Sequence, residues 1–219
     1  MTNINGFLNI AGNALLAHQQ AINIAGNNIA NVNTPGYSRQ KLIMATSNPQ
    51  LSSIGLLGHG VEAVRVERVY DRFVGVQINT ESQSLGRWQA QKQVLEGLEF
   101  IFDENDGFGL SQAISDYFNA WQALSMDPEN RIPRQMVISK GEVLADTFQQ
   151  KYSAVQSTRH GIDADIKGAV TTVNQLTSQI ADLNRKIIDT EVTGHTANEY
   201  RDQRDLALKE LATLIDITS

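Results

Sequence analysis

The chain has 219 residues, a formal net charge of -6 and a sequence pI near 5.2, enough for one large domain or two small ones at roughly 100 to 200 residues per domain. The acidic balance argues against nucleic acid as a partner, which needs clustered Lys and Arg; the absence of cysteine excludes disulfides, thiolate metal sites and cysteine nucleophiles. No run of about 18 apolar residues is present to insert into a membrane, and the first 30 residues lack the basic n-region of a cleaved signal peptide.

From Met1 to Ser38 there is no Asp, Glu, Lys or Arg, and the stretch holds nine asparagines. Charged residues make up 19% of the chain, so about seven would be expected in 38 positions. Ile4, Leu8, Ala11, Leu15, His18, Ile22, Ala25, Ile29 and Val32 follow alternating steps of four and three. That is the 3.5-residue seam of a helix packing lengthwise on other helices. A neutral, amide-rich surface beside the seam suits an ordered array, in which every charge would face repeated copies of itself and amides can donate and accept together. Gly6, Gly12 and Gly26 each cost about 1 kcal/mol relative to Ala. Alone, the helix is expected to be largely unfolded, ordering only against partner helices of another copy or of the same chain. Ile4, Leu8, Leu15, Ile22, Ile29 and Val32 are the candidate assembly interface.

All four prolines, Pro35, Pro49, Pro128 and Pro133, fall where periodic patterns stop. After the turn Asn33-Thr34-Pro35-Gly36, residues 39–45 and 61–69 have extended character around the Gly-rich stretch 55–60, which predicts a small β-hairpin. A second helical pattern runs from Tyr70 through Val74, Ile78, Leu85, Trp88, Leu95, Leu98 and Phe102. The acidic, glycine-rich stretch Asp103 to Gly109 ends it, and Ile114, Phe118, Trp121 and Leu124 mark a short third helix with Ser111 as its expected N-cap. From Pro133, a favourable first-turn residue, a helix can continue to Asp189. Val155, Arg159, Ile162, Ile166, Ala169, Val173, Leu176, Ile180, Leu183 and Ile187 keep the four-three rhythm of a coiled coil along it. Its 57 residues would make a rod of about 85 Å, with Gly161 and Gly168 as possible interruptions. A loop over 190–197 then leads to a final helix from Asn198, whose expected partner is the end of the long helix. The fold class is therefore mainly α, an elongated antiparallel coiled coil or helical bundle with a small β-hairpin. Three segments follow: 1–38, an axial helix with its Asn-rich turn; 39–70, the hairpin; and 71–219, an outer helical rod domain.

Catalytic and metal patterns are weak. His18, His59, His160 and His195 are far apart, with no second ligand at helical spacing. Ser38-Arg39-Gln40-Lys41 matches a loose S-x-x-K pattern but lies at a turn-to-strand junction and lacks a K-T-G partner. Asp103, Asn105 and Asp106 resemble the head of a calcium loop, yet Gly107 is at position five and Ile114 stands where Glu is needed. Gly55, Gly58 and Gly60 open no helix, so a dinucleotide loop is unsupported. No catalytic residue, metal or cofactor is assigned.

The run from Ala25 to Arg39, containing Asn27, Asn28, Asn31, Asn33, Pro35, Gly36 and Tyr37, resembles the signature of the bacterial flagellar axial proteins, the rod, hook and hook-associated family. There a neutral N-terminal helix ends in an Asn-rich turn before Pro-Gly-aromatic. Gly58-His59-Gly60-Val61, Tyr70-Asp71 and Asp202-Gln203-Arg204-Asp205 resemble further landmarks of its hook-associated members. The resemblance implies a non-enzymatic structural subunit, exported by the flagellar type III route to the extracellular flagellum and assembled in a ring connecting hook to filament. Implied partners are copies of itself, the hook protein, a second junction protein or the filament, the export apparatus and a chaperone. Such relatives continue into outer domains and return with a C-terminal helix, so this chain is expected to be an N-terminal part. The alternatives are another rod or hook subunit and a non-flagellar secreted coiled-coil adaptor.

Overall fold

A computed structural model describes residues 4–52, 55–104 and 109–218. In chain order the elements are α1 (Ile4–Ala30), β1 (Gln40–Thr46), β2 (Gln50–Ser52), β3 (Gly55–Leu57), β4 (Val61–Arg68), α2 (Arg72–Phe102), α3 (Leu110–Met126), α4 (Arg131–Val192) and α5 (Asn198–Ala212). The chain divides into two compact units, residues 1–85 with 173–219, and residues 86–172.

In the first unit, β1 and β4 pair antiparallel from Gln40 opposite Arg68 to Thr46 opposite Val61, with a bulge between Ile43 and Met44. The expected hairpin is thus present, but the Gly-rich stretch is not simply its loop. Leu51 pairs with Leu56 in a second short ribbon, β2 with β3, and Gly60 at φ 87° turns the chain back into β4. Helix α1 lies against β1 and β4. The residues it turns inward are Ile10, Ala17, Ala21, Ile24 and Asn28, all buried or half-buried, and Gly60 leaves room for Ile10, whose Cγ2 would be 3.0 Å from an added Cβ. The seam residues Ile4, Leu8, Leu15, Ile22, Ile29 and Val32 all remain exposed. The expectation that the chain's own helices might cover that seam is corrected, because the hairpin takes the adjacent face of α1 instead.

Helix α5 packs on the end of α4, as its apolar spacing requires. Leu176, Ala207 and Leu211 form a core flanked by Val173, Ile180 and Ile217, and Leu183 and Ile187 are buried further along. Gly194 at φ 84° lets the chain reverse between the helices, a left-handed conformation that costs glycine little. The Gln83 amide of α2 donates to Ile217 O at 2.8 Å. Helix α2 starts two residues later than its pattern suggested, because the Asp71 carboxylate accepts the N–H groups of Phe73 (2.9 Å) and Val74 (3.3 Å) as an N-cap.

In the second unit, Ala113, Ala120, Val137 and Ile101 are buried. Lys140 Nζ pairs with Asp116 at 2.7 Å, and Tyr117 meets the edges of Phe118 and Trp121. Ser111 is not the N-cap of α3. Gly109 holds that position without a side-chain bond, and Glu104 Oε1 accepts the Ser111 N–H at 2.9 Å, supplying from outside the helix the acceptor that an N-cap would provide. The hydrogen bonds from Ser111 hold the Glu104 carboxyl below its usual range. The candidate calcium-loop residues Asn105, Asp106 and Gly107 lie outside the described residues. Helix α4 runs unbroken through Gly161 and Gly168 and begins at Arg131, where Asn130 Oδ1 accepts the Ile132 N–H at 2.9 Å. Pro133 still falls in the first turn, where a missing N–H costs nothing.

Candidate assembly joint at the asparagine turn

The Asn-rich turn closes by local bonding. Asn31 Nδ2 donates to Asn27 O and Oδ1 at 3.0 and 2.8 Å, and Thr34 Oγ1 donates to Asn31 Oδ1 at 3.1 Å. The Thr34 N–H reaches Asn31 O at 2.9 Å and the Tyr37 N–H reaches Thr34 O at 3.2 Å. Short amide side chains compete for backbone groups in this way, which is why they end helices. Gly36 sits at φ 80°, and an added Cβ would come within 3.0 to 3.3 Å of Leu206 on α5. Both the backbone angle and the close approach demand glycine there. Asn33 and Pro35 are exposed.

The centre of the joint is Asn28. Its Nδ2 donates to Gln40 O at 2.8 Å, while its Oδ1 accepts both the Gln40 N–H at 2.8 Å and the Tyr37 hydroxyl at 2.9 Å. Arg39 O accepts the Val69 N–H at 2.7 Å, so Arg39 faces β4 and the next residue, Gln40, turns its peptide groups outward. The carboxamide bonds that outward edge as a neighbouring strand would. Only a group that both donates and accepts can do this. On the opposite edge, Val66 O accepts Thr196 Oγ1 at 2.7 Å and Asn198 Nδ2 at 2.8 Å, so side chains close both open edges at this end of the hairpin.

Helix α5 supplies the rest. Asp202 Oδ2 accepts the Ser38 N–H at 2.9 Å and Asp202 Oδ1 accepts Arg68 Nη1 at 3.0 Å. The same guanidinium nitrogen lies 2.7 Å from Asp205 Oδ2, an ionic contact off the N–H axis, since that oxygen has no hydrogen-bond partner. The Arg68 and Asp202 side chains are only 10% and 7% exposed. Arg68 also stacks 4.1 Å over the Tyr70 ring, which fits where Gly75 lacks a side chain. A buried charge is tolerable only when paired this closely. Burial, followed by the nearby charges of Asp202 and Glu199, pushes the Tyr37 phenol up. Burial and Asp205 do the same to Tyr70. In the first turn of α5, next to Asp202, Arg201 forms a bidentate pair with Glu191 at 2.7 and 2.8 Å, and that hydrogen bonding holds the Glu191 carboxyl below its usual range.

The structure therefore links the turn of Asn28, Gly36 and Tyr37 to α5 through the Ser38 N–H on Asp202, 164 positions away in sequence, and through the approach of Gly36 to Leu206, while the bonds of Asn31 stay within the turn. The aliphatic stripe of α1 sits outside this joint. Gln40, Arg68 and Asn198 were not legible as its members. The extended character of residues 39–45 marked a strand, but not which side chain would close its edge. Among the described residues no group of three or more His, Asp or Glu could hold a metal ion, and no helix is long and apolar enough to cross a membrane.

A charge-free helix fastened by an amide-rich turn to long packed helices defines a structural, helix-packing class of protein. The family model of the flagellar hook-associated protein FlgK helical domain matches residues 95–219, and the family model of the flagella basal body rod protein matches residues 8–37. The chain is 32% identical over 217 residues to flagellar hook-associated protein 1 of Bacillus subtilis, covering 96% of this chain and 43% of the relative. Against flagellar hook-associated protein 1 of Salmonella typhimurium the identity is 30% over 217 residues, and against that of Escherichia coli 29% over 216; each match covers 98% of this chain and 39% of the relative. The chain belongs to the flagellar hook-associated protein FlgK family, whose members are structural flagellar proteins and not enzymes. It spans about two fifths of the length of these relatives.

Proposed function

We propose that this chain is the N-terminal part of a subunit that joins the flagellar hook to the filament and works by packing rather than by chemistry. The observation that carries the reading is the uncovered stripe along α1 and the turn after it, on which Ile4, Leu8, Leu15, Ile22, Ile29 and Val32 are all 58% or more exposed within a segment of 38 residues that has no charge. An exposed aliphatic stripe of this length is stable in water only when another surface covers it. In this reading residues 1–38 form the axial segment, residues 39–70 brace it and residues 71–219 form the outer helical domain. Neighbouring copies in a ring cover the stripe, and the joint at Asn28, Arg68 and Asp202 fixes the direction in which α1 leaves the hairpin. The partners are then the hook protein and a second junction protein or the filament, reached after export outside the cell with the help of the export apparatus and a chaperone.

Deletion of the gene, with electron microscopy of the hooks, tests the assignment. Hooks without filaments, restored by the full-length protein bound at their tips, are expected. Cells that keep their filaments would refute it.

A further inference from the structure

A second charge-free surface exists besides α1. From Leu42 to Val61 there is again no Asp, Glu, Lys or Arg, although about four would be expected in 20 positions at the chain's average of 19%. Within it, Leu51 and Leu56 are directly paired across the β2–β3 ribbon and are 80% and 69% exposed; Leu57 beside them is exposed as well. The edges of a two-stranded ribbon offer unpaired backbone groups, and soluble proteins guard such edges with charges or cover them. This ribbon has no charges, so it is built to be covered.

The chemistry of the cover follows from the same absence. Apolar groups gain nothing from a charged surface, because burying an unpaired charge costs more than the apolar contact returns. Each of α2 to α5 carries charged side chains, whereas α1 carries none along its whole length, so its exposed aliphatic stripe is the longest charge-free one on the helices. The ribbon's base also lies beside α1, since the Ser47 N–H bonds Gly60 O at 3.0 Å and Gly60 packs on Ile10. The ribbon's base thus meets α1 on the face that carries Ile10, which leaves the exposed stripe of the same helix uncovered.

We propose that the Leu51–Leu56 ribbon is a second assembly surface that packs on the exposed α1 stripe of a neighbouring copy. It rests on the self-assembly reading above, and adds a heterologous contact in which one patch meets a different patch of the next copy. Such contacts propagate around a ring when the rotation closes.

The absence of native cysteine allows a direct test with single-cysteine variants of the chain. Leu56→Cys mixed with mass-tagged Leu8→Cys or Leu15→Cys is expected to give mixed disulfide dimers under mild oxidation. Gln122→Cys on exposed α3 is expected to give none with either. Changing Leu51 and Leu56 to serine together is expected to raise the concentration for half-maximal association by about tenfold or more, with unchanged circular dichroism. Leu8→Cys homodimers without any Leu56→Cys partner would overturn the ribbon contact while leaving self-assembly through α1 standing. Leu56→Cys homodimers alone, or a concentration-independent bridge within a Leu8→Cys/Leu56→Cys chain, would also overturn it. No cross-link in any pair would overturn both readings.

Discussion

Replacing Asn28 by alanine isolates the joint. The substitution removes three hydrogen bonds, of 2.8, 2.8 and 2.9 Å, and helix propensity opposes the loss only slightly in alanine's favour. Gln40 is 8% exposed, so water does not readily replace the carboxamide at its N–H and C=O. Two buried backbone groups left without partners cost about 1 to 3 kcal/mol each, whereas the Tyr37 hydroxyl can rotate toward solvent. A net loss of about 3 kcal/mol corresponds to a fall in melting temperature of roughly 6 to 12 °C in a protein of this size. Because the chain has two compact units, calorimetry should be paired with amide exchange read at Gln40 and along β1, which assigns the transition to the first unit. Asn28→Asp provides the finer comparison. It keeps the acceptor for the Gln40 N–H and the Tyr37 hydroxyl, but sets a second oxygen against Gln40 O, so it is expected to lose much of the same stability. A melting temperature within 1 °C of wild type in Asn28→Ala, with Gln40 protection unchanged, would refute the bridging argument.

Gly36→Ala combines a left-handed backbone with a Cβ 3.0 Å from Leu206 and is expected to cost about 1 to 3 kcal/mol; adding Leu206→Ala should relieve the steric part and leave the backbone part, as measured by urea unfolding. Asp202→Ala should be more damaging than Asp202→Asn, because the amide still accepts the Ser38 N–H whereas alanine also strands that donor beside a buried guanidinium; a loss of about 3 to 5 kcal/mol is expected for alanine, and equal losses would sink the account. The Glu191 carboxyl is held below its ordinary value of 4.5, so its pair with Arg201 contributes stability that is present above pH 4.5 and lost as pH falls through the lower folded value. Acid melts should therefore show Glu191→Gln converging on wild type below that range and weaker above it. Amide exchange at low protein concentration is expected to show protection over 10–31, where Ile10, Ala17 and Asn28 meet the hairpin, and faster exchange over 4–9; strong protection of all of α1 in the lone chain would refute the view that its outer face waits for a partner.

Sequence alone settled the features that depend on local chemistry. The absence of charge up to Ser38, the asparagines before Pro35-Gly36 and the rhythm from Val173 to Ile187 are properties of neighbours along the chain. They gave the helix, its end, and the helix on which α5 packs. Caps were less legible, because any nearby acceptor can serve: Glu104 replaced the expected Ser111, and Asn130 and Asp71 moved two helix starts.

What only the tertiary structure decided is which of the two stripes on α1 is already occupied. Ile10, Ala17, Ile24 and Asn28 recur at helical spacing just as the aliphatic seam does, and one-dimensional periodicity cannot rank two faces of the same helix. The hairpin chose between them because Asn28 can satisfy the outward peptide of Gln40, a requirement that arises only once β1 has paired with β4. The Arg68–Asp202 contact has the same origin. Its members are 134 positions apart, and a buried ion pair exists only where the fold has first removed both groups from water.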